Sequence, residues 1–308
     1  MPELPEVQTT VNGLRRHIIG LTIIHVWSDY GGAYFKDSDT IKNPMYFKNF
    51  KKEVLGKMVV SVERRAKNIL INLSTDKTTL VHMKMTGHLL YGRYRFRKDV
   101  RKDPWDPIEP ESLKDPYNRH VHLMFTFDNH WNLALSDVRT FAKVVVMDSK
   151  TAHESVHLND IGPEPLEKSF TFEKFSERID LRPNGKIKQI LMDQSILAGI
   201  GNIYADESLW LAGIHPLELV RNIPTKRREA LFKAVKETLR SGIDFGGDSM
   251  SDYRNVNGEK GEFQGEHHAY RRTGDKCDKP GCGGTIMRLV VGGRSAHFCS
   301  RHQRLTVR

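Results

Sequence analysis

The stretch that most narrowly limits the fold of this chain is Cys277-Asp-Lys-Pro-Gly-Cys282, followed after sixteen residues by Cys299-Ser-Arg-His302. Two close ligand pairs separated by a hairpin-length segment are what a tetrahedral zinc site requires. Residues 286–291 and 295–298 read as the two strands of that hairpin, and so small a unit cannot bury enough apolar surface to fold alone. The pattern predicts one structural Zn²⁺ held by Cys277, Cys282, Cys299 and His302.

Other interpretations of this segment stay open. The cysteines could be three free thiols beside a surface histidine, and His297 is a second candidate for the fourth ligand. The chain has only these three cysteines, and an odd, clustered set favours metal binding in a reducing compartment over a disulfide framework. No apolar run reaches transmembrane length, and the first residues lack the features of a signal peptide. We therefore expect an intracellular, cytoplasmic protein that does not bind a membrane.

Charge indicates an acidic partner. The 308 residues carry a formal net charge of +10. Much of the excess lies in residues 270–308, which contain nine Lys and Arg against two Asp. A concentrated basic segment suits the phosphate backbone of a nucleic acid, although a solvated basic tail would have the same composition.

The remaining chain divides by pattern into helical and β-rich parts. Residues 3–19 have helical apolar spacing, residues 21–147 consist of short β-rich runs, and helical patterns follow the Gly162-Pro163 hinge. Thr171 could cap a helix that extends to Arg178. Residues 202–212 predict another helix, for which Asn202 is a candidate cap, and the glycines at 199 and 201 before it allow close approach of the backbone. The charged, proline-containing residues 92–117 interrupt the β-rich part and predict an exposed loop. We predict an α+β protein with an N-terminal antiparallel β-sandwich (1–150), a helical domain (151–265) and a zinc-binding hairpin (266–308).

Seven motifs, in order, resemble the formamidopyrimidine-DNA glycosylase / endonuclease VIII family over nearly the whole chain. They are Pro2-Glu3-Leu4-Pro5-Glu6-Val7, Arg64-Arg65-Ala66-Lys67, His82-Met83-Lys84-Met85-Thr86-Gly87, Ser136-Asp137-Val138-Arg139-Thr140-Phe141, Gly162-Pro163-Glu164-Pro165-Leu166, Leu191-Met192-Asp193-Gln194 with Ala198-Gly199-Ile200-Gly201-Asn202-Ile203-Tyr204-Ala205, and the cysteine segment. The opening motif is similar to the branch that prefers oxidised purines. The resemblance implies a helix–two-turns–helix domain and a monomeric, nucleoid-associated enzyme acting on double-stranded DNA with oxidised bases.

The resemblance also implies a mechanism. Once Met1 is removed, Pro2 has a free secondary amine, and an α-amino group with a pKa of about 7.7–8.0 is partly neutral at physiological pH. Such an amine can attack a sugar carbon and form an iminium, with Glu3 as general acid/base. Lys67 and the finger residue Arg294 are assigned to the strand-cutting eliminations. Taken alone, Pro2 could simply start a helix, and Lys67 could be an exposed surface residue.

The same resemblance predicts further residues that contact DNA. Met85, Arg139 and Phe141 match the trio that fills the gap left by a flipped base, although Met85 and Phe141 taken singly would suggest core packing. Residues 252–261 resemble the mobile loop over the lesion, with Tyr253, Asn255 and Val256 as its candidate contacts. The predicted contacts to the DNA backbone are Arg182, Lys188, Asn202, His120 and Asn118.

The chain departs from the family pattern at several sites, two of which concern a predicted metal ligand and a predicted DNA contact. The finger ends in Cys299-Ser-Arg-His302 where the family usually has two cysteines, and Asn118 replaces the first histidine of a His-x-His pair. Alternative functions are an endonuclease VIII-like glycosylase for oxidised pyrimidines, a non-catalytic lesion-binding protein, and a zinc-ribbon protein that binds RNA. The opening motif and the segment that resembles the lesion loop disfavour the first. The retained Pro2, Glu3, Lys67 and Arg294 together disfavour the second. The zinc ribbon would explain only the C-terminal segment.

Overall fold

The structure, a computed structural model, describes residues 1–31, 38–100 and 103–306. The chain forms two compact units. Unit 1 contains Met1–Asn159 and Phe245–Glu262, and unit 2 contains Asp160–Asp244 and Phe263–Arg308. The predicted 151–265 domain therefore differs from the observed grouping, because residues 245–262 pack within unit 1. No helix among the described residues is long and apolar enough to span a bilayer.

Unit 1 begins with helix α1 (Leu4–His17). A capping box fixes its first turn: the Glu3 side chain accepts from the backbone of Glu6, and the Glu6 side chain accepts from the backbone N–H of Glu3. Val7, Val11 and Leu14 recur at helical spacing and are fully buried. This side of the helix is part of the main apolar core of unit 1.

Two antiparallel sheets supply most of that core. One has the strand order β1-β7-β8-β5-β6 and the other β2-β3-β4-β9. The predicted mixed fold with antiparallel N-terminal sheets is confirmed. The strands are β1 (Ile23–Ser28), β2 (Val59–Arg65), β3 (Asn68–Leu73), β4 (Lys77–His82), β5 (His88–Phe96), β6 (Trp105–Glu109), β7 (Val121–Phe127), β8 (Asn132–Ser136) and β9 (Lys143–Asp148).

The prediction of a long loop at residues 92–117 was wrong. Strand β5 continues to Phe96, and β6 pairs with it at the end of the five-stranded sheet. Charged residues and Pro107 are tolerated in β6 because an edge strand leaves one side unpaired. Trp105 also packs on Trp27 and Phe96, with ring centroids 5.7 and 4.9 Å apart. Helix α2 (Pro44–Val54) was not predicted at all, although Asn43 caps it.

Unit 2 contains four α-helices and a β-hairpin among its described residues. They are α3 (Phe172–Asp180), α4 (Ile187–Met192), α5 (Asn202–Ala212), α6 (Thr225–Asp244), β10 (Ile286–Val291) and β11 (Arg294–Cys299). Thr171 caps α3 as predicted, by accepting from the backbone N–H of Lys174. Helix α5 packs against both α6 and β11. This packing places the hairpin on the helical part of the unit.

Candidate active site and metal centre

The N-terminus of α1 holds two of the predicted catalytic residues in buried positions. Pro2 is buried, and Glu3 is 3% exposed. Behind them the Glu6 carboxylate accepts from the backbone N–H of Glu3 at 2.7 Å and from that of Asp248 at 2.8 Å. Glu6 therefore fixes the start of the helix, and its role is structural support for its neighbours.

Lys67 lies in a tight turn between β2 and β3. Arg65 and Asn68 pair across this turn, and Ala66 adopts a positive φ of 53°. The Lys67 side chain is only 6% exposed, which excludes the interpretation as an exposed surface lysine. Burial, followed by the charges of Lys84 and Lys67, lowers the pKa of His82 to about 3.

The three predicted gap-filling residues form one exposed cluster. Met85 and Phe141 are 39% and 47% exposed, which excludes the core-packing interpretation. The Arg139 guanidinium lies 4.6 Å from the centroid of the Phe141 ring, and its Nη1 is 3.2 Å from Met85 Sδ. Two apolar side chains and a cation are thus presented together at the surface of unit 1.

A buried carboxylate supports this cluster. Asp137 is fully buried and accepts from the hydroxyl of Thr86 at 2.5 Å and from the backbone N–H of Ala142 at 2.7 Å. It also accepts from the Tyr30 hydroxyl at 3.0 Å. Thr86 follows Met85, and Ala142 follows Phe141, so one side chain ties both loops of the cluster together. Sequence reasoning did not assign a role to Asp137, although it belongs to the quoted motif.

The two residues at the His-x-His positions have different environments. His120 helps to line a cavity of about 180 Å³ together with Thr86, Pro116, Tyr117, Val138 and Asp252. Asn118 is 2% exposed, and its amide is bonded to the Gly258 carbonyl and to His88. The predicted DNA contact by Asn118 is therefore corrected, because its polar atoms are engaged inside unit 1.

Two of the predicted lesion contacts also point inward. Tyr253 is 4% exposed, and its hydroxyl donates to the Glu6 carbonyl at 3.0 Å. Val256 is 2% exposed and belongs to the core of unit 1. Neither can contact a base from this position, which corrects the prediction. Asn255 is partly exposed and stays a candidate.

In unit 2, the turn before α5 has the predicted glycine-dependent geometry. Gly199 has a φ of +83°, and its backbone N–H donates to the Gln194 side chain at 2.9 Å. Gly201 is the N-cap of α5, so Asn202 is its first residue and not its cap. The Asn202 contact to phosphate stays a prediction, as does that of the exposed Arg182.

Lys188 occupies a different environment from the predicted one. It is fully buried, and its ammonium donates to Asp206 at 2.6 Å and to the carbonyl of Ser295 at 2.5 Å. The predicted phosphate contact is corrected because this ion pair encloses the charge. Asp206 also accepts from the backbone and ring N of His297, both at 2.9 Å. Sequence reasoning missed Asp206, although a carboxylate within the apolar α5 is a signal of buried pairing.

The same pair anchors the hairpin that carries Arg294. Gly292 and Gly293 have φ values of +55° and +75°, and Val291 pairs with Arg294 across them. A two-residue turn with both φ values positive favours glycine at both positions. Arg294 is exposed at this turn. The hairpin thus presents a guanidinium on a short, well-anchored support.

The four predicted zinc ligands converge. One potential ligand atom from each of Cys277, Cys282, Cys299 and His302 lies within 4.8 Å of the other three. Cys282 Sγ is 3.5 Å from Cys299 Sγ and 3.4 Å from His302 Nδ1. With metal–sulfur bonds of about 2.3 Å, a tetrahedral site has ligand separations of about 3.8 Å, so these residues fit a metal ion.

Hydrogen bonding distinguishes the two candidate histidines. His302 Nε2 lies 3.1 Å from the Trp210 carbonyl, an arrangement that leaves Nδ1 as the lone-pair donor facing the thiols. His297 Nδ1 is bonded to Asp206 instead. The structure therefore favours His302 over His297 as the fourth ligand.

Comparison with known proteins agrees with this architecture. Residues 1–144 match the formamidopyrimidine-DNA glycosylase N-terminal domain, and residues 161–254 match the formamidopyrimidine-DNA glycosylase H2TH domain. The Lactococcus lactis Fpg bound to DNA containing an abasic site has a TM-score of 0.81 at 30% identity, covering 98% of this chain and 99% of that one. MutM bound to DNA containing carbocyclic 8-oxo-G has a TM-score of 0.79 at 30% identity, covering 98% and 100%.

Curated relatives match over the same length. The formamidopyrimidine-DNA glycosylase of Heliobacterium modesticaldum is 35% identical, covering 99% of this chain and all of the relative. That of Herpetosiphon aurantiacus is 37% identical, covering 97% and 98%. The fold and the site thus define a DNA glycosylase of DNA repair. The chain belongs to the formamidopyrimidine-DNA glycosylase family.

Proposed function

We propose that this chain excises oxidised purines, 8-oxoguanine and formamidopyrimidines, from duplex DNA and then cuts the strand at the resulting abasic site. The observation that carries the proposal is the buried, capped start of α1, which fixes Glu3 beside Pro2. A protein that only binds lesions has no need of an N-terminal amine or of an acid fixed beside it. The MutM complex with carbocyclic 8-oxo-G supports the purine substrate.

The proposed chemistry begins after removal of Met1. The neutral Pro2 amine attacks C1′, the glycosidic bond breaks, and the base leaves with a proton. Glu3 protonates the ring oxygen as the sugar opens, which gives an iminium. Loss of the C2′ proton expels the 3′ phosphate, and a second elimination expels the 5′ phosphate. Lys67 transfers protons in these steps, and Arg294 neutralises the phosphates.

The exposed cluster serves base flipping in this proposal. Met85 and Phe141 enter the space that the extruded base leaves, and Arg139 bonds the orphaned partner base. Arg182 and Asn202 contact the phosphates of the DNA backbone, and His120 lies at the cavity beside the exposed cluster. We also propose a monomeric state and a location with the cytoplasmic DNA.

We propose Zn²⁺ as the ion of the Cys277, Cys282, Cys299 and His302 cluster. Three thiolates and one imidazole complete a tetrahedral shell, so the ion is structural and has no open position for water. Its role is to hold the hairpin folded, since the hairpin itself buries little apolar surface.

Borohydride trapping tests the proposed chemistry. Protein with Met1 removed, verified by mass, is incubated with an 8-oxoguanine:cytosine duplex and sodium borohydride, beside Pro2→Gly and a sample that retains Met1. We expect a stable crosslink with the processed wild type, none with the sample that retains Met1, and at least about tenfold less with Pro2→Gly. Tight lesion binding without crosslink or strand scission would leave the lesion-binding function instead. Faster cleavage of thymine-glycol than of 8-oxoguanine duplexes would favour the endonuclease VIII-like activity.

A further inference from the structure

One segment of unit 1 is held by another that is distant in sequence. Residues 251–258, here called the lesion segment, pack against residues 110–118, here called the clamp. The clamp consists of two short 3₁₀ turns, Glu111–Lys114 and Pro116–Asn118. It belongs to the part of the chain that the sequence predicted to be an exposed loop.

An ion pair between the buried Arg254 and the partly exposed Asp115 joins the two segments. Arg254 is 1% exposed, and its Nε and Nη2 donate to the two carboxylate oxygens of Asp115 at 3.1 and 3.4 Å. The remaining nitrogen, Nη1, donates to the carbonyls of Ser251 and Tyr253 at 3.1 and 2.8 Å. The Asp115–Arg254 pair thus fixes the backbone of the lesion segment as well as its side chain.

Contacts with Tyr117 of the clamp also hold the Asp115 side chain in place. It accepts from the backbone N–H of Tyr117 at 2.9 Å, and the Tyr117 ring lies 4.6 Å from the Arg254 guanidinium. Burial raises the pKa of this carboxyl, but the Tyr117 N–H and Arg254 outweigh burial and hold the pKa below its usual value. The acceptor is therefore ionised near neutral pH.

Two further contacts follow along the lesion segment. The Ser112 hydroxyl donates to the carbonyl of Asn257 at 2.5 Å, and the Asn118 amide donates to the carbonyl of Gly258 at 3.2 Å. Gly258 has a φ of +83°, and a Cβ there would lie 2.8 Å from Asn118 Nδ2. The close approach to the clamp and the left-handed backbone both require glycine at this position.

The middle of the lesion segment is tied to the core. The backbone N–H of Tyr91 donates to the carbonyl of Val256 at 2.6 Å. The Val256 side chain fills the space over Gly13, where an added Cβ would meet it at 2.3 Å. Together with the clamp contacts, this leaves Asp252, Asn255 and Asn257 as the partly exposed side chains of the segment.

We propose that Asp115 and Arg254 are positioning residues that hold the lesion segment in the observed conformation before DNA binds. Asp252 of this segment lines the cavity beside the exposed cluster together with Tyr117 of the clamp. Ordering a free loop on binding costs conformational entropy, and a preformed loop avoids that cost. The clamp therefore acts on recognition of the damaged base and not on the chemistry at Pro2.

This inference rests on the proposed function, so its test separates base recognition from strand cutting. Single-turnover excision of 8-oxoguanine is measured beside incision of a preformed abasic site. The variants are Asp115→Asn, Arg254→Lys and Arg254→Met, with Glu111→Gln as the control. Glu111 forms an exposed ion pair with Lys114 at 2.7 Å in the same clamp. Exposed ion pairs contribute little to stability, whereas removing the partner of a buried charge is strongly destabilising.

We expect Asp115→Asn to lower 8-oxoguanine excision about tenfold and abasic-site incision less than about threefold, since small displacements of positioning groups can cost up to about a hundredfold. Arg254→Lys keeps the positive charge, so we expect it to lose less 8-oxoguanine excision activity than Arg254→Met. Amide hydrogen exchange of residues 251–258 should accelerate in Asp115→Asn and not in Glu111→Gln.

Equal losses of both activities in Asp115→Asn, or no loss in either, would overturn the positioning role. Unchanged hydrogen exchange of the lesion segment in Asp115→Asn would contradict the proposal that the clamp holds this segment. Absence of excision, incision and crosslink in the processed wild type would contradict the proposed function instead, while hydrogen exchange would still decide whether the clamp holds the segment.

Discussion

Individual residues in this protein owe their roles to what surrounds them. Met85, Arg139 and Phe141 could be assigned to DNA from motifs alone, and the structure brings them together at the surface. Lys188 and Asn118 could not be judged in this way. The lysine in the short helix α4 gives no sign by itself that Asp206, eighteen residues away, pairs with its charge. Burial of such side chains depends on tertiary partners that sequence spacing does not identify.

His82 makes stability depend on pH. Its ring Nδ1 accepts from the backbone N–H of Lys84 at 2.9 Å, so the folded state holds the ring neutral, with a pKa of about 3. Above pH 6.5 the ring is neutral in both states. Below it the unfolded chain binds a proton first, and folded-state stability is lost progressively down to about pH 3.

We expect His82 alone to account for about 2–3 kcal/mol of lost stability at pH 4.5 relative to pH 7. Urea unfolding of the wild type and of His82→Asn at both pH values measures this loss of stability. Asparagine keeps a hydrogen-bond acceptor for the Lys84 N–H and does not titrate. His130→Asn is the control, since His130 is exposed and its φ of 63° suits asparagine. Equal pH dependence in wild type and His82→Asn would contradict this assignment.

At the scale of elements, the local sequence was sufficient to predict a helix where capping residues or glycines determine the backbone conformation. Helix α5 has the predicted bounds Asn202–Ala212, and α3 begins after the predicted cap Thr171. Helix α2 was missed although it has an asparagine cap and a proline in its first turn. Strand β6 was missed for a different reason: its pairing with β5 and its packing on Trp27 are non-local.

One prediction concerns the hairpin β10–β11 and the proposed metal site beside it. We expect His302→Ala to lose the bound ion and to unfold the hairpin, whereas His302→Cys retains one ion per chain, because a fourth thiolate also satisfies a tetrahedral site. Native mass spectrometry counts the ions, and hydrogen exchange of residues 286–299 follows the hairpin. Retention of a full complement of metal by His302→Ala would exclude His302 as a ligand. A chelator should reproduce the loss in the wild type.

At the scale of the whole molecule, ordered motifs were enough to predict the family and the architecture. They did not predict the composition of the units. Residues 245–262 follow α6 directly in sequence, yet they belong to unit 1, where Val256 and Tyr253 are buried. Nothing in the local pattern of a glycine-containing segment indicates which core receives its few apolar side chains.

The net charge of +10 predicts strongly salt-dependent DNA binding. We expect Arg294→Ala and Arg182→Ala each to lower the slope of log affinity against log salt by about 1, since each removes one phosphate contact. Arg93→Ala is the control, because Arg93 in β5 forms an exposed ion pair with Glu109. Fluorescence anisotropy with an abasic-site duplex from 50 to roughly 300 mM salt measures the slopes. Unchanged slopes for Arg294→Ala would remove that residue from the phosphate contacts.

The return of residues 245–262 to unit 1 has a consequence for biosynthesis. A nascent chain that has emerged only as far as Asn159 contains both sheets but lacks Val256, which covers Gly13, and Tyr253, which bonds Glu6. Domains generally fold as units during synthesis, N-terminal first. Here the first unit can complete its core only after the helices of the second have left the ribosome, so the N-terminal half must wait, partly open, for its last segment.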